Sequence, residues 1–270
     1  NDGDLDLFVS SYQWDNGTLA SYVASQIGLK VGYELAHLYR NEGSWVFRDV
    51  AKEVNLRRLT LPMAANYGDL DNDGFLDFYL GTGYPDYESL TPNVMYRNIG
   101  GRAFADVTSA GGFGHLQKGH GIVFADLDND GDQDVYEQMG GFLPGDKFFN
   151  ALYENPGSDN NWIGVQLVGT RSNRSAIGAR IRAEIVDNGK RRAVFKDVSS
   201  GASFGANPLR QTIGLGRAAS IDLLEIYWPT SDMAQTFEGV AANQYIRIVE
   251  GTDSYSPIKL RAFALAVVDG

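Results

Sequence analysis

A nine-residue acidic segment occurs twice in this chain, and the chain opens on the last six positions of a third copy. Asp126-Leu127-Asp128-Asn129-Asp130-Gly131-Asp132-Gln133-Asp134 repeats Asp69-Leu70-Asp71-Asn72-Asp73-Gly74-Phe75-Leu76-Asp77, and Asn1-Asp2-Gly3-Asp4-Leu5-Asp6 matches their ends. Four or five carboxylates in so short a stretch repel one another, so the segment stays compact only around a cation. Such a constraint decides what lies on either side of it.

The spacing names the oxygens. Carboxylates at loop positions 1, 3 and 5 (Asp69, Asp71, Asp73; Asp126, Asp128, Asp130) converge on one point, and a glycine at position 6 permits the positive φ of a sharp turn. A backbone carbonyl at position 7 (Phe75, Asp132) and a carboxylate at position 9 (Asp77, Asp134) complete the shell. This set suits Ca2+, a hard ion that accepts about six to eight oxygens in flexible geometry. Two complete sites are expected, and one truncated site of Asp2, the Asp4 carbonyl and Asp6.

An EF-hand would demand a bidentate glutamate at position 12, and Glu137 stands there in one copy. The other copies carry Leu80 and Val9, which bind no metal, so Glu137 reads as incidental. The flanks, Gly121 to Ala125 and Val135-Tyr136, are short, β-branched or aromatic, so the loop reads as a turn between two strands.

A second repeat follows the first. His37 to Val50 aligns with Val94 to Val107 around Tyr-Arg-Asn-x-Gly, and Ala151 to Gly157 begins a third version. One unit is therefore an acidic-loop hairpin plus a Tyr-x-Asn-x-Gly hairpin, four strands in all, and the two complete acidic loops start 57 residues apart. Four-stranded units at such a period indicate a β-propeller or a similar array. Two units and part of a third are fewer than the four to eight blades of a closed ring, so the chain reads as the carboxy-terminal part of something longer. Residues 15–36, with Leu19, Tyr22, Val23, Ile27 and Leu29, interrupt the repeat as a short helix, and 84–93 as a polar insertion.

From Asn161 the grammar changes. Trp162–Val168, Arg180–Val186, Arg192–Val198, Gln211–Leu215, Leu223–Trp228 and Tyr245–Val249 read as strands of a small β-sandwich, with Trp162 and Trp228 in its core. The fold class is thus all-β, a partial β-propeller over 1–160 and a sandwich-like domain over 161–251, with a tail at 252–270 whose apolar stretch Ile258 to Val268 is able to pair with a sheet. Residues 1–160 hold 10 Lys and Arg against 24 Asp and Glu, a net of −14, while 161–270 hold 13 against 10, a net of +3. The acidic part excludes nucleic-acid binding there, no apolar run reaches the ~20 residues of a membrane span, and the absence of cysteine excludes disulfides and thiol chemistry.

The D-x-D-x-D-G-x-x-D loops with their Tyr-Arg-Asn-x-Gly hairpins resemble FG-GAP/VCBS repeats, the integrin-α-type propeller family. Ser172-Asn173-Arg174, Ala176 to Arg180, Ser199-Ser200-Gly201, Ile213 to Gly216, Trp228-Pro229 and Asn243-Gln244 resemble the ASPIC/UnbV domain, in the order seen in cartilage-acidic-protein-like proteins. The resemblance implies an exported protein, extracellular or periplasmic, whose calcium ions stiffen a propeller.

No nucleophile elbow, Walker loop, Rossmann fingerprint or zinc-protease helix is present, and His37, His115 and His120 read as structural. Arg171-Ser172-Asn173-Arg174 has two readings, an arginine-lined pocket for a carboxylate or sulfated glycan and an arginine and asparagine tying the loop backbone to the sandwich, the second being preferred. The expected function is a calcium-stabilised recognition or adhesion module for an extracellular protein or glycan, without catalysis; the alternative is an accessory part of a secreted carbohydrate-active hydrolase or lyase.

Overall fold

The computed structural model describes residues 2–12, 15, 17–83, 91–141, 144, 148–199 and 201–265. Asn1, Ser200, most of the 84–93 insertion and the end of the tail lie outside them. The described residues are nearly all β, in five sheets.

Three sheets come from the repeats. They are β1 (Leu7–Val9), β2 (His37–Asn41) and β3 (Phe47–Asp49); β4 (Pro62–Gly68), β5 (Asp77–Thr82), β6 (Val94–Asn98) and β7 (Phe104–Asp106); and β8 (Gly119–Ala125), β9 (Asp134–Met139) and β10 (Ala151–Tyr153). Each is an antiparallel meander in chain order. Leu80, Val94 and Tyr96 of the middle sheet bury themselves with Ala51 and Leu56, while Tyr79 and Met95 pack on Ile122, Phe124 and Val135 of the third. Every sheet thus covers its neighbour, as blades do. Only the middle sheet shows the four strands expected of a unit. In the third, the chain leaves after β10 because Ser158 and Asn160 tie it to the Asp71 carbonyl (2.8 Å each) and lead into the next domain.

The insertion after β1 contains the expected helix, α1 (Thr18–Gln26), though its polar side faces inward. Ser25 and Gln26 bond the Leu59 backbone, and Leu19, Val23 and Ile27 are exposed.

The remaining strands are β11 (Asn161–Val168), β12 (Arg180–Asp187), β13 (Lys190–Asp197), β14 (Gln211–Gly216), β15 (Ser220–Trp228), β16 (Met233–Ala241), β17 (Gln244–Val249) and β18 (Tyr255–Ile258). They form two four-stranded sheets, β14-β11-β17-β18 and β13-β12-β15-β16, packed face to face. Ile163, Val165, Ile213 and Ile246 of one meet Ile181, Ile185, Leu224 and Ile226 of the other, with Trp228 fully buried. Each such aliphatic side chain contributes ~1.5–3 kcal/mol of burial. The six expected strands are all present; β16 and β18 are additional. β18 pairs with β17 and ends at Ile258, so the apolar stretch from Ile258 on, expected to pair, forms no strand over the described residues 259–265.

Candidate metal centre

Each complete acidic segment closes a hairpin, 69–76 between β4 and β5 and 126–133 between β8 and β9, so strands flank both loops. Asn72 and Gly74, like Asn129 and Gly131, take positive φ, which coils the chain tightly within each loop. In the first loop Asp69, Asp71 and Asp77 each place a carboxylate oxygen within 4.8 Å of the others; in the second Asp126, Asp128 and Asp130 do so. Either cluster could hold a metal ion. Asp73 and Asp134 stand outside these triples, accepting the N–H of Phe75 (2.8 Å) and of Leu127 and Asn155 (3.1 and 2.9 Å).

Three carboxylate oxygens, Asp71 Oδ1, Asp126 Oδ1 and Asp132 Oδ1, are buried without a hydrogen-bond partner. A buried carboxylate oxygen left unpaired costs free energy, and a hard cation is the group that would satisfy it. The donor set therefore fits an oxygen-loving divalent ion. Burial is also the first cause of the high proton affinities here. It pushes Asp69 up to about 7, with Lys196 opposing and Asp73 adding to it, and Asp77 up to about 8 with help from Asp69. Asp132 rises to about 7 through burial and then the charges of Asp130 and Asp134, and Asp73, Asp128 and Asp134 move the same way.

The second repeat explains itself against the first. The aspartate at position 9 accepts the backbone N–H of the hairpin asparagine in all three copies: Asp6 from Asn41 (2.9 Å), Asp77 from Asn98 (2.7 Å) and Asp134 from Asn155 (2.9 Å). That asparagine's amide returns a bond to the residue before the aspartate, Leu5, Leu76 or Gln133, and its Oδ1 accepts from the glycine two or three residues on. The recurring Tyr-x-Asn-x-Gly is thus a clamp that holds each acidic loop to the next hairpin. Asp2, Asp4 and Asp6 keep this clamp but form no metal-sized triple among the described residues. Asn155→Ala removes three side-chain bonds, to Leu70 O, Gln133 O and Gly157 N–H. It is expected to cost ~2–3 kcal/mol in urea denaturation.

The two loops touch, Asn72 donating to Gly131 O (3.2 Å) and Asp69 N–H to Gln133 Oε1 (2.8 Å). The sandwich then covers both. Over the first, Arg192 donates to Asp73 O (2.7 Å) and Gly216 N–H to Asn72 O (2.9 Å), and the half-buried Lys196 brings its ammonium toward Asp69 and Asp77. Over the second, Tyr245 hydrogen-bonds the Asp126 carboxylate, Arg210 lies 3.6 Å from the same carboxylate, and Phe263 N–H reaches Asp128 O (3.0 Å). The sign of the charge difference between the two halves now has a purpose, since the basic half faces the acidic loops.

Family models described as FG-GAP-like repeat match residues 1–80 and 81–137, and one described as ASPIC and UnbV matches residues 169–254. The chain belongs to the FG-GAP-like repeat family. Its ASPIC and UnbV domain is the sandwich, seated on the loops of the FG-GAP repeats. Among curated proteins none matches the chain.

The other residues singled out from sequence fall as follows. Glu137 is no ligand of the FG-GAP loop: it is buried between sheets, 2.9 Å from the Tyr79 hydroxyl, and burial raises it to about 8. His37 bridges Glu34 and Asp49 (2.5 and 2.8 Å), and His115 packs on Phe148. Trp228 is core, whereas Trp162 packs at a tilt against Tyr245 at the boundary between the domains. In the Arg171 to Arg174 loop, Asn173 does tie the backbone, bonding Ile177 O and N–H (2.7 and 2.9 Å), but among the described residues neither arginine side chain does, and Glu250 takes that role instead. The Glu250 carboxylate accepts the N–H groups of Thr170, Arg171 and Ser172 (2.7 Å each) and the hydroxyls of Ser172 and Ser231. Sequence reasoning missed Lys196, Arg210 and Tyr245, which lie far along the chain from any acidic repeat and carry no motif of their own.

Proposed function

We propose that this chain is a calcium-binding recognition module that works outside the cytoplasm, in which the ions order the FG-GAP loops and do no chemistry themselves. The observation that carries this reading is the pair of adjacent acidic triples covered by the ASPIC and UnbV domain, with buried carboxylate oxygens left for a cation. Asp69, Asp71 and Asp77 would hold one ion and Asp126, Asp128 and Asp130 the other, with Asp73, Asp134 and the carbonyls of Phe75 and Asp132 as further oxygens. Bound there, calcium supplies charge neutralisation and rigidity. Because the sandwich rests on the same loops, the ions also order the surface on which it sits.

Isothermal titration of the metal-free chain with calcium is expected to show two binding events, each lost when Asp71 or Asp126 is changed to Asn, and weaker heats with magnesium. The same protein is expected to leave a panel of glycosidase and polysaccharide-lyase substrates unturned. Calcium-dependent turnover, or a titration without heat, overturns the proposal.

A further inference from the structure

The outer face of the sheet β14-β11-β17-β18 is divided. At one end Trp162 and Tyr245 are committed to the second acidic loop. At the other, the parallel pairing of β11 with β17 places Gln166 beside Arg247 and Val168 beside Val249. Their neighbours Leu167, Ile246 and Ile248 fill the core, so these four side chains face outward. Arg174 and Ser175 come over them from the loop that Glu250 holds, and Leu209 closes the far wall. The result is a groove of about 540 Å³, in the size range of small-molecule sites.

Its chemistry is one-sided. The lining offers two guanidinium groups, a carboxamide and two hydroxyls over a short aliphatic floor, and no carboxylate. Among the described residues the side chains of Arg174, Arg247, Gln166 and Ser175 have no hydrogen-bond or ion-pair partner. This is unlike most other arginines of the same domain, for Arg180, Arg182, Arg191, Arg192, Arg210 and Arg217, though not Arg171, each meet an acid. The loop carrying Arg174 is also pinned in advance: burial raises the Glu250 carboxyl, but the hydroxyls and N–H groups around it bring it down to about 2, so it stays ionised and bonded at any ordinary pH. An arginine on a fixed backbone loses less entropy on binding than one on a mobile loop.

We infer that this groove binds an acidic saccharide through its carboxylate or sulfate groups, Arg174 and Arg247 holding the oxyanions and Gln166 and Ser175 the neighbouring hydroxyls. The inference rests on the recognition reading and names its ligand. A peptide is the poorer occupant, because β17 is paired on both sides, by β11 and by β18, and the aliphatic floor is a short strip of Val168 and Val249.

The test is titration of the calcium-loaded chain with a uronate oligosaccharide, a sulfated oligosaccharide, neutral dextran oligomers and poly-glutamate. Binding to one or both acidic sugars, weakening with added salt and falling at least tenfold in the Arg174→Ala/Arg247→Ala chain at unchanged melting temperature, is expected. The two acidic sugars tell carboxylate from sulfate recognition. No binding to either, binding indifferent to the two arginines, or equal binding of poly-glutamate overturns the assignment. Calcium melting curves on the same samples separate the outcomes: a chain that binds calcium and another ligand, but no acidic sugar at these arginines, sinks this site and leaves the recognition reading standing.

Discussion

A melting scan in excess chelator is expected to fall ~10–20 °C below one in millimolar calcium. A ligand that binds only the folded state stabilises by about 2.7 kcal/mol per site when its free concentration is a hundred times Kd, so two sites supply about 5 kcal/mol. For a chain of this size each kcal/mol moves the midpoint ~2–4 °C. The pH dependence gives the effect a signature that surface-charge screening lacks. Asp69 and Asp132, raised to about 7, and Asp77, raised to about 8, hold protons in the folded state that the unfolded chain has already released. A raised carboxyl makes stability fall as pH climbs from about 4 toward the folded value, so the metal-free protein is expected to be more stable at pH 5 than at pH 8. Calcium replaces those protons, and the increment it adds therefore grows over the same window. Differential scanning calorimetry at pH 5 and 8, with and without calcium, checks both signs. A calcium increment that is equal at the two pH values speaks against these carboxylates as ligands.

Much of the frame could be read from the residues because its elements are local. A nine-residue motif that repeats with glycine at one place constrains the backbone within its own length, and the flanking strands alternate in period two, so both hairpins and six sandwich strands were legible. β16 was not, since Gly239, at positive φ, interrupts the alternation between buried Phe237 and buried Val240. The helix at 18–26 was legible as a helix but not in its orientation: the insertion packs through Ser25 and Gln26 onto Leu59, contacts that no hydrophobic pattern encodes. For the site, the aspartates announced themselves, whereas the covering cations did not. Lys196 and Arg210 are ordinary members of strand and loop in sequence and acquire meaning only when the sandwich is laid on the repeats. The asparagine clamp was visible as a repeat, yet its purpose needed the hydrogen bonds, because Asp77 and Asn98 lie 21 residues apart.

Gly214→Ala is expected to damage both stability and calcium binding. On β14 this glycine lies against the first acidic loop so closely that a Cβ would overlap the Asp69 carboxylate and the backbone of Asn72. The backbone there has no positive φ, so β14 itself accepts alanine without strain, and the whole penalty arises where the ASPIC and UnbV domain meets the FG-GAP loop. A carboxylate could swing aside, but the Asn72 backbone cannot, being bonded through its carbonyl to Gly216 N–H and through its side chain to Gly131 O. Relief therefore requires the sandwich to lift from the loop or Asp69 to leave its partners, the N–H groups of Asp73 and Gly74. Overpacking of this kind costs ~1–3 kcal/mol where neighbours can shift, and more where they are backbone. The expected result is a fall in melting temperature of roughly 6–12 °C, together with at least a tenfold loss of calcium affinity at the first site and little change at the second. Gly32→Ala, which meets nothing within 4 Å and sits at ordinary φ, serves as the neutral control. A Gly214→Ala chain that melts and binds calcium like its parent would mean that the sandwich does not rest on the acidic loop, because the two surfaces leave no space for the added carbon.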